Sequence, residues 1–315
     1  MIEEIRDIFG KKLAKLAAKN NRVIVLDADL NTSTKIDIFK HAFPARFIQV
    51  GIAEQNMFGM AAGIASCGLI PFPTTFAVFA SKRACDQISI SIAYPMLNVK
   101  IPGCYAGVFT GKSGATHQSV EDLAIMRSMP NMRVLDAADG NELEQIMDAI
   151  VEYVGPVYFR VLKSAVTPVF DKDYKFNWKP VLLKDGNDVA IVTTGIMTSI
   201  GVHAVKELGK QKINAALLHV PCLKPLDPEL LIKIASKCGA VVTAENHSII
   251  GGLGGAISEI LSENFPVPVK RVGVEDFFVE TGEDEDIKEK YGLTVENIKK
   301  SAMSLINKKI KGRVK

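Results

Sequence analysis

The sequence predicts an α/β protein built as two parallel-sheet-rich domains, and three observations carry that expectation. Short apolar runs that suit buried strands alternate with longer stretches of helical periodicity, the pattern of βα units. The alternation is interrupted once, between Asp171 and Asp188, where the chain turns polar and is punctuated by Pro180, Gly186 and several lysines. At 315 residues with 48% hydrophobic content, there is enough apolar material for two ordinary cores. The expected division is a first domain over residues 1–170, a connector over 171–188 and a second domain over 189–315.

Composition narrows the function classes. A net charge of +3 is nearly neutral and gives no reason to expect a nucleic-acid partner. The lysine-rich end (Lys308, Lys309, Lys311, Arg313, Lys315) reads as a solvated tail. No apolar run reaches membrane-spanning length, and Glu3, Glu4 and Asp7 are wrong for a secretory signal. Five cysteines, Cys67, Cys85, Cys104, Cys222 and Cys238, show no Cys-x-x-Cys spacing. They read as small hydrophobes in a reducing compartment, neither metal cage nor disulfide framework. A soluble cytoplasmic protein is the expectation.

Ile2, Ile5, Phe9, Leu13 and Leu16 recur at helical spacing, so an amphipathic helix runs from about residue 2 to 19. Val23 to Leu26 is a buried strand ending in Asp27-Ala28-Asp29-Leu30-Asn31-Thr32-Ser33, whose acids and hydroxyls suit a turn or a ligand. Phe47 to Val50 is a second buried strand, ended by Gly51, and a helix begins at Ala53. Glu54 therefore stands at a strand's carboxyl end and in a helix's first turn, where open α/β sheets keep their ligands. Its bland role would be to complement the helix dipole. Leu69 to Pro73 forms a third strand. A helix from Thr74 onward then places Phe76 and Phe79 one turn apart, as core or as an aromatic wall for a flat ring.

Val99 to Cys104 is the fourth strand and leads into a loop from Gly107 to Gln118. Its Gly111-Lys112-Ser113 lacks the Walker glycine, because Ala106 stands at that place. Ser119-Val120-Glu121-Asp122 has capping-box spacing for the helix that follows. Strand Val134 to Ala137, a helix over 141–154 and strand Val157 to Val161 close the first domain's sheet. In the second domain, strands Val189 to Thr193, Ala215 to His219, Ala240 to Ala244 and Val267 to Val274 alternate with helices, the last over 295–306. Gly251-Gly252-Leu253-Gly254-Gly255 opens a helix without the Gly-x-Gly-x-x-Gly form of a dinucleotide site.

Five segments in one order carry a resemblance. They are Ala28-Asp29-Leu30, Gly51-Ile52-Ala53-Glu54-Gln55, Thr75-Phe76-x-x-Phe79, Gly114-Ala115-Thr116-His117-Gln118 and Glu245-Asn246-His247-Ser248. Spanning nearly the whole chain, they resemble the pyrimidine-binding and C-terminal domains of transketolase. The family's metal–diphosphate motif, Gly-Asp-Gly with an Asn some thirty residues on, is absent, so the chain looks like the C-terminal subunit of a split transketolase.

That resemblance implies a two-carbon ketol transfer between sugars, of the pentose phosphate kind, with thiamine diphosphate as cofactor. It implies Glu54 on the aminopyrimidine nitrogen, Phe76 and Phe79 packed on that ring, and Asp29 and Leu30 beside it. His117 would face the substrate, with Ser33 and Lys163 near its phosphate and Ser113 where related enzymes carry an Asp. Tyr105 replaces a substrate-binding His. The metal, Mg2+ or Ca2+, would be held by a partner N-terminal subunit, and self-association would give a heterotetramer. A deoxyxylulose-phosphate synthase-like or 2-oxoacid dehydrogenase-like subunit is the rival enzymatic reading, and a regulatory paralogue the non-enzymatic one.

Overall fold

A computed structural model describes the backbone of residues 3–313 and the side chains through Lys308. Ile2 and Lys315 therefore lie outside the described residues, as do the side chains of Lys309, Lys311 and Arg313. Helix α1 (Ile5–Lys19) buries Ile5, Phe9, Leu13 and Leu16 on one face, as their spacing requires. Strand β1 (Val23–Asp27) follows, and two short helices, α2 (Asn31–Thr34) and α3 (Asp37–Ala42), occupy what reads as loop in the sequence. Strand β2 (Phe47–Gln49) comes next. It lies at a sheet edge and is only half-buried, not enclosed as its apolar character suggested. Helix α4 (Glu54–Ser66) begins on Glu54 itself.

Strand β3 (Ile70–Phe76) runs on through Thr74 and Thr75 to Phe76, so the helix expected from Thr74 starts only at α5 (Ala77–Lys82). The strand accommodates two prolines for a geometric reason. Ile70 donates to the Arg22 carbonyl on the β1 side, so Pro71 and Pro73 face the other side by alternation. There pairing with β4 (Lys100–Cys104) begins only at Thr75 and Phe76, and no ladder donor is missed. Between α5 and β4 the chain makes a π-helical turn over Gln87–Ala93, which carries the buried Ile88 and Ile92.

Helix α6 (Asp122–Ser128), strand β5 (Arg133–Asp136), helix α7 (Gly140–Glu152) and strand β6 (Val157–Val161) complete the first domain. The capping box expected at Ser119 does not form. Ser119 instead exchanges backbone hydrogen bonds with Gly107, at 2.9 and 3.0 Å, and closes the neck of the loop before α6. Asp139 is the working cap here, its side chain accepting from the Glu142 amide at the start of α7.

Strand β7 (Val181–Lys184) lies within the stretch read as connector and pairs antiparallel with β9 (Ala215–His219). The second domain adds β8 (Val189–Thr193), α8 (Met197–Lys210), β10 (Cys222–Lys224), α9 (Glu229–Cys238) and β11 (Val241–Ser248). It ends with α10 (Leu253–Asn264), β12 (Val269–Val274), α11 (Asp284–Lys290) and α12 (Val295–Arg313). Its sheet has the order β12-β11-β8-β9-β7, parallel except for β7. The first sheet has the order β10-β5-β6-β4-β3-β1-β2. Strand β6, expected to close that sheet, is internal because β5 and β4 flank it, and β10, crossing back from the second domain, pairs antiparallel with β5 and forms the edge. One apolar cluster runs from α4 and α6 to α9 and α10 without a break at the domain boundary. Among the described residues no helix is long and apolar enough to cross a membrane.

Candidate active site

Four neighbouring strand ends build the site: β4, β3, β1 and β2 in the order of the sheet. From β1 the chain goes outward to β2 and returns to β3 on the other side. The carboxyl ends of these strands are therefore the switch point, where such sheets leave a crevice. Two backbone features mark the same edge. Asp29, just after β1, and Tyr105, just after β4, hold φ at 63° and 57° without being glycine. Such left-handed residues persist where their surroundings dictate them.

Glu54 is 4% exposed, and its Oε1 accepts from Arg83 Nη1 at 2.9 Å. The Arg83 guanidinium also lies over the Phe79 ring, 4.0 Å from its centroid. Phe76, the last residue of β3, and Phe79, in the first turn of α5, are not on one helix as the sequence suggested. Their rings nonetheless stack, with centroids 5.7 Å apart and planes at 26°. Tyr105 stacks on the other face of this group, 4.2 Å from Phe76. His117 meets both phenylalanines edge-on, at 5.9 and 5.4 Å, while its Nδ1 lies 2.8 Å from the Thr116 hydroxyl. Burial pushes the Tyr105 hydroxyl above its ordinary pKa, against the pull of a nearby Arg6. Arg6 Nη1 donates to that hydroxyl at 2.7 Å and to the Ser33 carbonyl at 3.2 Å.

The structure thus gathers Glu54, Phe76, Phe79, His117, Tyr105, Ser33 and Lys163, whose Nζ is 5.5 Å from the Tyr105 ring. Asp29 and Leu30 sit on the adjacent loop. There the Asp29 amide donates to Gln49 Oε1, and the Leu30 amide to the buried Asp27 carboxylate. Gln49 in turn bonds Asp27 and the Gly51 amide, so it joins that loop to the one that presents Glu54. The Ser113 hydroxyl is turned back into its own loop, donating to the Thr110 carbonyl at 3.0 Å.

Two clefts open beside this group. One, of about 430 Å³, is lined by Ile52, Ala53, Glu54, Gln55, Asn56 and Arg83. The other, of about 460 Å³, is lined by Val78, Phe79, Lys82, Arg83, Thr116 and a second-domain side chain, Phe278, which is 76% exposed. Arg83 borders both.

Sequence reasoning missed three features. Arg83 was recoverable, because it follows Phe79 by four residues on one face of the chain's helical course. Arg6 was not, since its partner Tyr105 lies 99 residues away. The third is a buried network behind the site. Arg160 on β6 makes two bonds to the Asp122 carboxylate, at 2.8 and 2.6 Å, and one to the Asn246 carbonyl of the second domain at 3.0 Å. The Tyr158 hydroxyl adds a further bond to Asp122. Burial would raise the Asp122 carboxyl, but the bidentate Arg160 outweighs it and holds the group below its usual range. Asp136 touches Arg160 only at 3.4 Å, and burial pushes it up to about 6.

Whether this group of side chains suits a thiamine pyrimidine can be tested on Arg83. A planar, delocalised, nitrogen-bearing group already rests on Phe79 and lies within hydrogen-bond distance of Glu54. There is thus room for a flat ring stacked on Phe79 with a nitrogen at Glu54, the proton then lying on the carboxyl side. The ring half of the cofactor therefore fits. No cluster of three or more His, Cys, Asp or Glu among the described residues is arranged to hold a metal.

Comparison with known proteins shows the family. Residues 4–168 match the sequence profile of the transketolase pyrimidine-binding domain, and residues 179–298 that of the transketolase C-terminal domain. A 6-deoxy-6-sulfo-D-fructose transketolase subunit of Clostridium sp. (strain MSTE9) is 44% identical over 97% of this chain and 95% of its own. An apulose-4-phosphate transketolase subunit of Phocaeicola vulgatus is 35% identical over 96% of this chain and 97% of its own. A solved split-gene transketolase, described as an inactive β4 tetramer, is 46% identical with a TM-score of 0.90, covering 96% of this chain and 98% of that one. With both domains matched in order and relatives aligned over nearly their full length, the chain belongs to the transketolase family, as the pyrimidine-binding and C-terminal portion that its split members carry as a separate subunit.

Proposed function

We propose that this chain supplies the pyrimidine half of a split transketolase, which moves a two-carbon ketol unit from a ketose phosphate to an aldose phosphate. The observation that carries the reading is the buried Glu54 carboxylate facing a planar cation that lies on Phe79. Bound thiamine diphosphate would supply the nucleophilic carbon that accepts and hands on the two-carbon unit. Glu54 then exchanges a proton with the pyrimidine nitrogen, after Arg83, whose side chain is 51% exposed, swings away. Phe76 and Phe79 keep the ring flat and water out, and Asp29 and Leu30 bound the pocket on the β1 side. His117 holds or moves a proton at a substrate oxygen. Ser33 and Lys163 take the polar end of the sugar, with Lys163 acting as a point charge toward its phosphate, and Ser113 joins them only once its hydroxyl releases the Thr110 carbonyl.

The diphosphate and its Mg2+ or Ca2+ need oxygen ligands or a helix N-terminus aimed at them. A partner subunit carrying that motif would provide them, in a heterotetramer with two copies of each chain. Relatives named as transketolase subunits, one of them an inactive tetramer of β chains, support this division of labour. Calorimetry and a two-carbon transfer assay test it. The chain alone should show neither thiamine diphosphate affinity nor turnover, and adding the diphosphate-binding subunit should restore both. Full activity from this chain alone would sink the split-enzyme reading.

A further inference from the structure

We propose that Asp284, in the second domain, is a positioning residue that holds the loop bearing His117 against the aromatic wall. The effect on turnover rests on the transketolase reading above, whereas the effect on the loop does not. The loop from Gly107 to Ser119 is closed at its neck and by an internal turn, in which the His117 and Gln118 amides donate to the Gly114 carbonyl at 3.0 and 3.1 Å. Its glycines Gly107, Gly111 and Gly114 have φ of 75°, 65° and 75°. A backbone of that kind has little intrinsic preference for one shape, so between the neck and that turn its course depends on contacts from outside.

One peptide group shows how. The Thr110 carbonyl accepts from Lys163 Nζ at 3.0 Å, and the amide on the other end of that peptide, Gly111 N–H, donates to Asp284 Oδ1 at 2.7 Å. A cation stands at the negative end of this peptide dipole and an anion at its positive end. Charge-assisted hydrogen bonds of this kind are roughly twice as strong as neutral ones. The other oxygen of Asp284 accepts from the Ser164 hydroxyl at 2.7 Å, next to Lys163. The loop tip and the end of β6 are thus fastened to a single carboxylate.

Neighbouring second-domain groups act on the same loop. Asn246 Oδ1 accepts from the Val108 amide at 3.0 Å, and the Glu280 carbonyl from Gln118 Nε2 at 3.4 Å. A Cβ on Gly114 would meet the Thr281 hydroxyl at 2.6 Å, so the loop there lies flush on the second domain. None of these groups meets the aromatic wall. They act through the loop, whose far end presents His117.

Lys112, exposed on the loop, is a ready reporter as a tryptic site. The full-length chain is compared with Asp284→Ala, Asp284→Asn and Ser164→Ala by the rate of cleavage after Lys112 and by hydrogen exchange across 107–118. Asp284→Ala should speed both at least tenfold. Asp284→Asn, which keeps an acceptor for Gly111, should stay within about threefold of wild type, and Ser164→Ala should fall between. With the partner subunit present, Asp284→Ala should lower kcat/KM for sugars tenfold or more and leave cofactor affinity unchanged. Unaltered cleavage and exchange in Asp284→Ala overturn the proposal, even if the protein is a transketolase. Absent two-carbon transfer by the wild-type pair overturns the functional reading and leaves the protection data standing.

Discussion

Replacing Glu54 by Gln separates chemistry from stability at the site. The side chain keeps its shape, and its amide oxygen can still accept from Arg83, so little packing is lost. Only the ionic character of the Glu54–Arg83 pair goes, and Arg83 is 51% exposed. Exposed pairs contribute about 0–1 kcal/mol, and because Gln leaves no unpaired charge buried while Arg83 stays in water, the loss here should be of the same order, about 2–4 °C in Tm at most. An amide cannot exchange the proton with the pyrimidine nitrogen. Losing a proton-transfer group typically costs 10²–10⁴-fold in rate, or about 3–5 kcal/mol in the barrier. The two effects differ severalfold, so they can be told apart. The assay is two-carbon transfer by the reconstituted pair, with thermal melting of the same samples as the control. Turnover within about threefold of wild type, at saturating cofactor, would refute the role given to Glu54. A melting point lowered by ten degrees would refute the claim that its ion pair is a minor contributor to the fold.

Three further expectations follow. Phosphorylated and unphosphorylated ketoses competing in the transfer assay should differ at least tenfold in kcat/KM, with Lys163→Ala removing most of the difference; equal efficiency in the wild type removes the phosphate site from the argument. Arg160→Met leaves Asp122 and Asp136 buried without their cation, and should cost about 3–5 kcal/mol in urea unfolding; a loss below 1 kcal/mol would mean that the network is not ionic. Burial first, then Arg133, lowers the Lys100 ammonium to about 7, so its contribution is present above the ordinary Lys value and is lost as pH falls through about 7. Wild type should therefore gain on Lys100→Met by about 1 kcal/mol per pH unit from pH 7 upward, and parallel stability curves from pH 6.5 to 10 contradict it.

The fold was legible where burial imposes periodicity. Helix α1, strands β1, β8 and β9 and helix α7 follow from apolar spacing, because both faces or one stripe must be dry. Elements placed by long-range pairing were not. Strand β10 is Cys222-Leu223-Lys224, too short to announce itself, and exists because β5 offers it an edge. Strand β7 alternates half-buried and exposed residues amid polar neighbours, and its pairing with β9 is what makes it a strand. In the site, the position of Glu54 at a strand's carboxyl end and a helix start was legible from the local strand–helix alternation, whereas Phe76 proved to end β3 and only Phe79 to lie on α5. Arg6, Arg160 and Asp284 were not legible, since each acts on residues from 24 to 173 positions away.

Those distant residues explain what the second domain does for a site it scarcely touches. It adds β10 to the edge of the first sheet, and without it β5 would present unpaired backbone groups to water or to another chain. It supplies the Asn246 carbonyl to Arg160 and so satisfies one more donor of a buried guanidinium. Through Asn246 Oδ1 and Asp284 it accepts two loop amides, Val108 and Gly111, for which the first domain offers no acceptor in this arrangement. Each contact reaches either the strands whose ends form the crevice or the loop that carries His117. The second domain is thus the template on which the first domain's flexible glycines take a single shape, and a weakened contact between the two should register in the loop before it registers in the core.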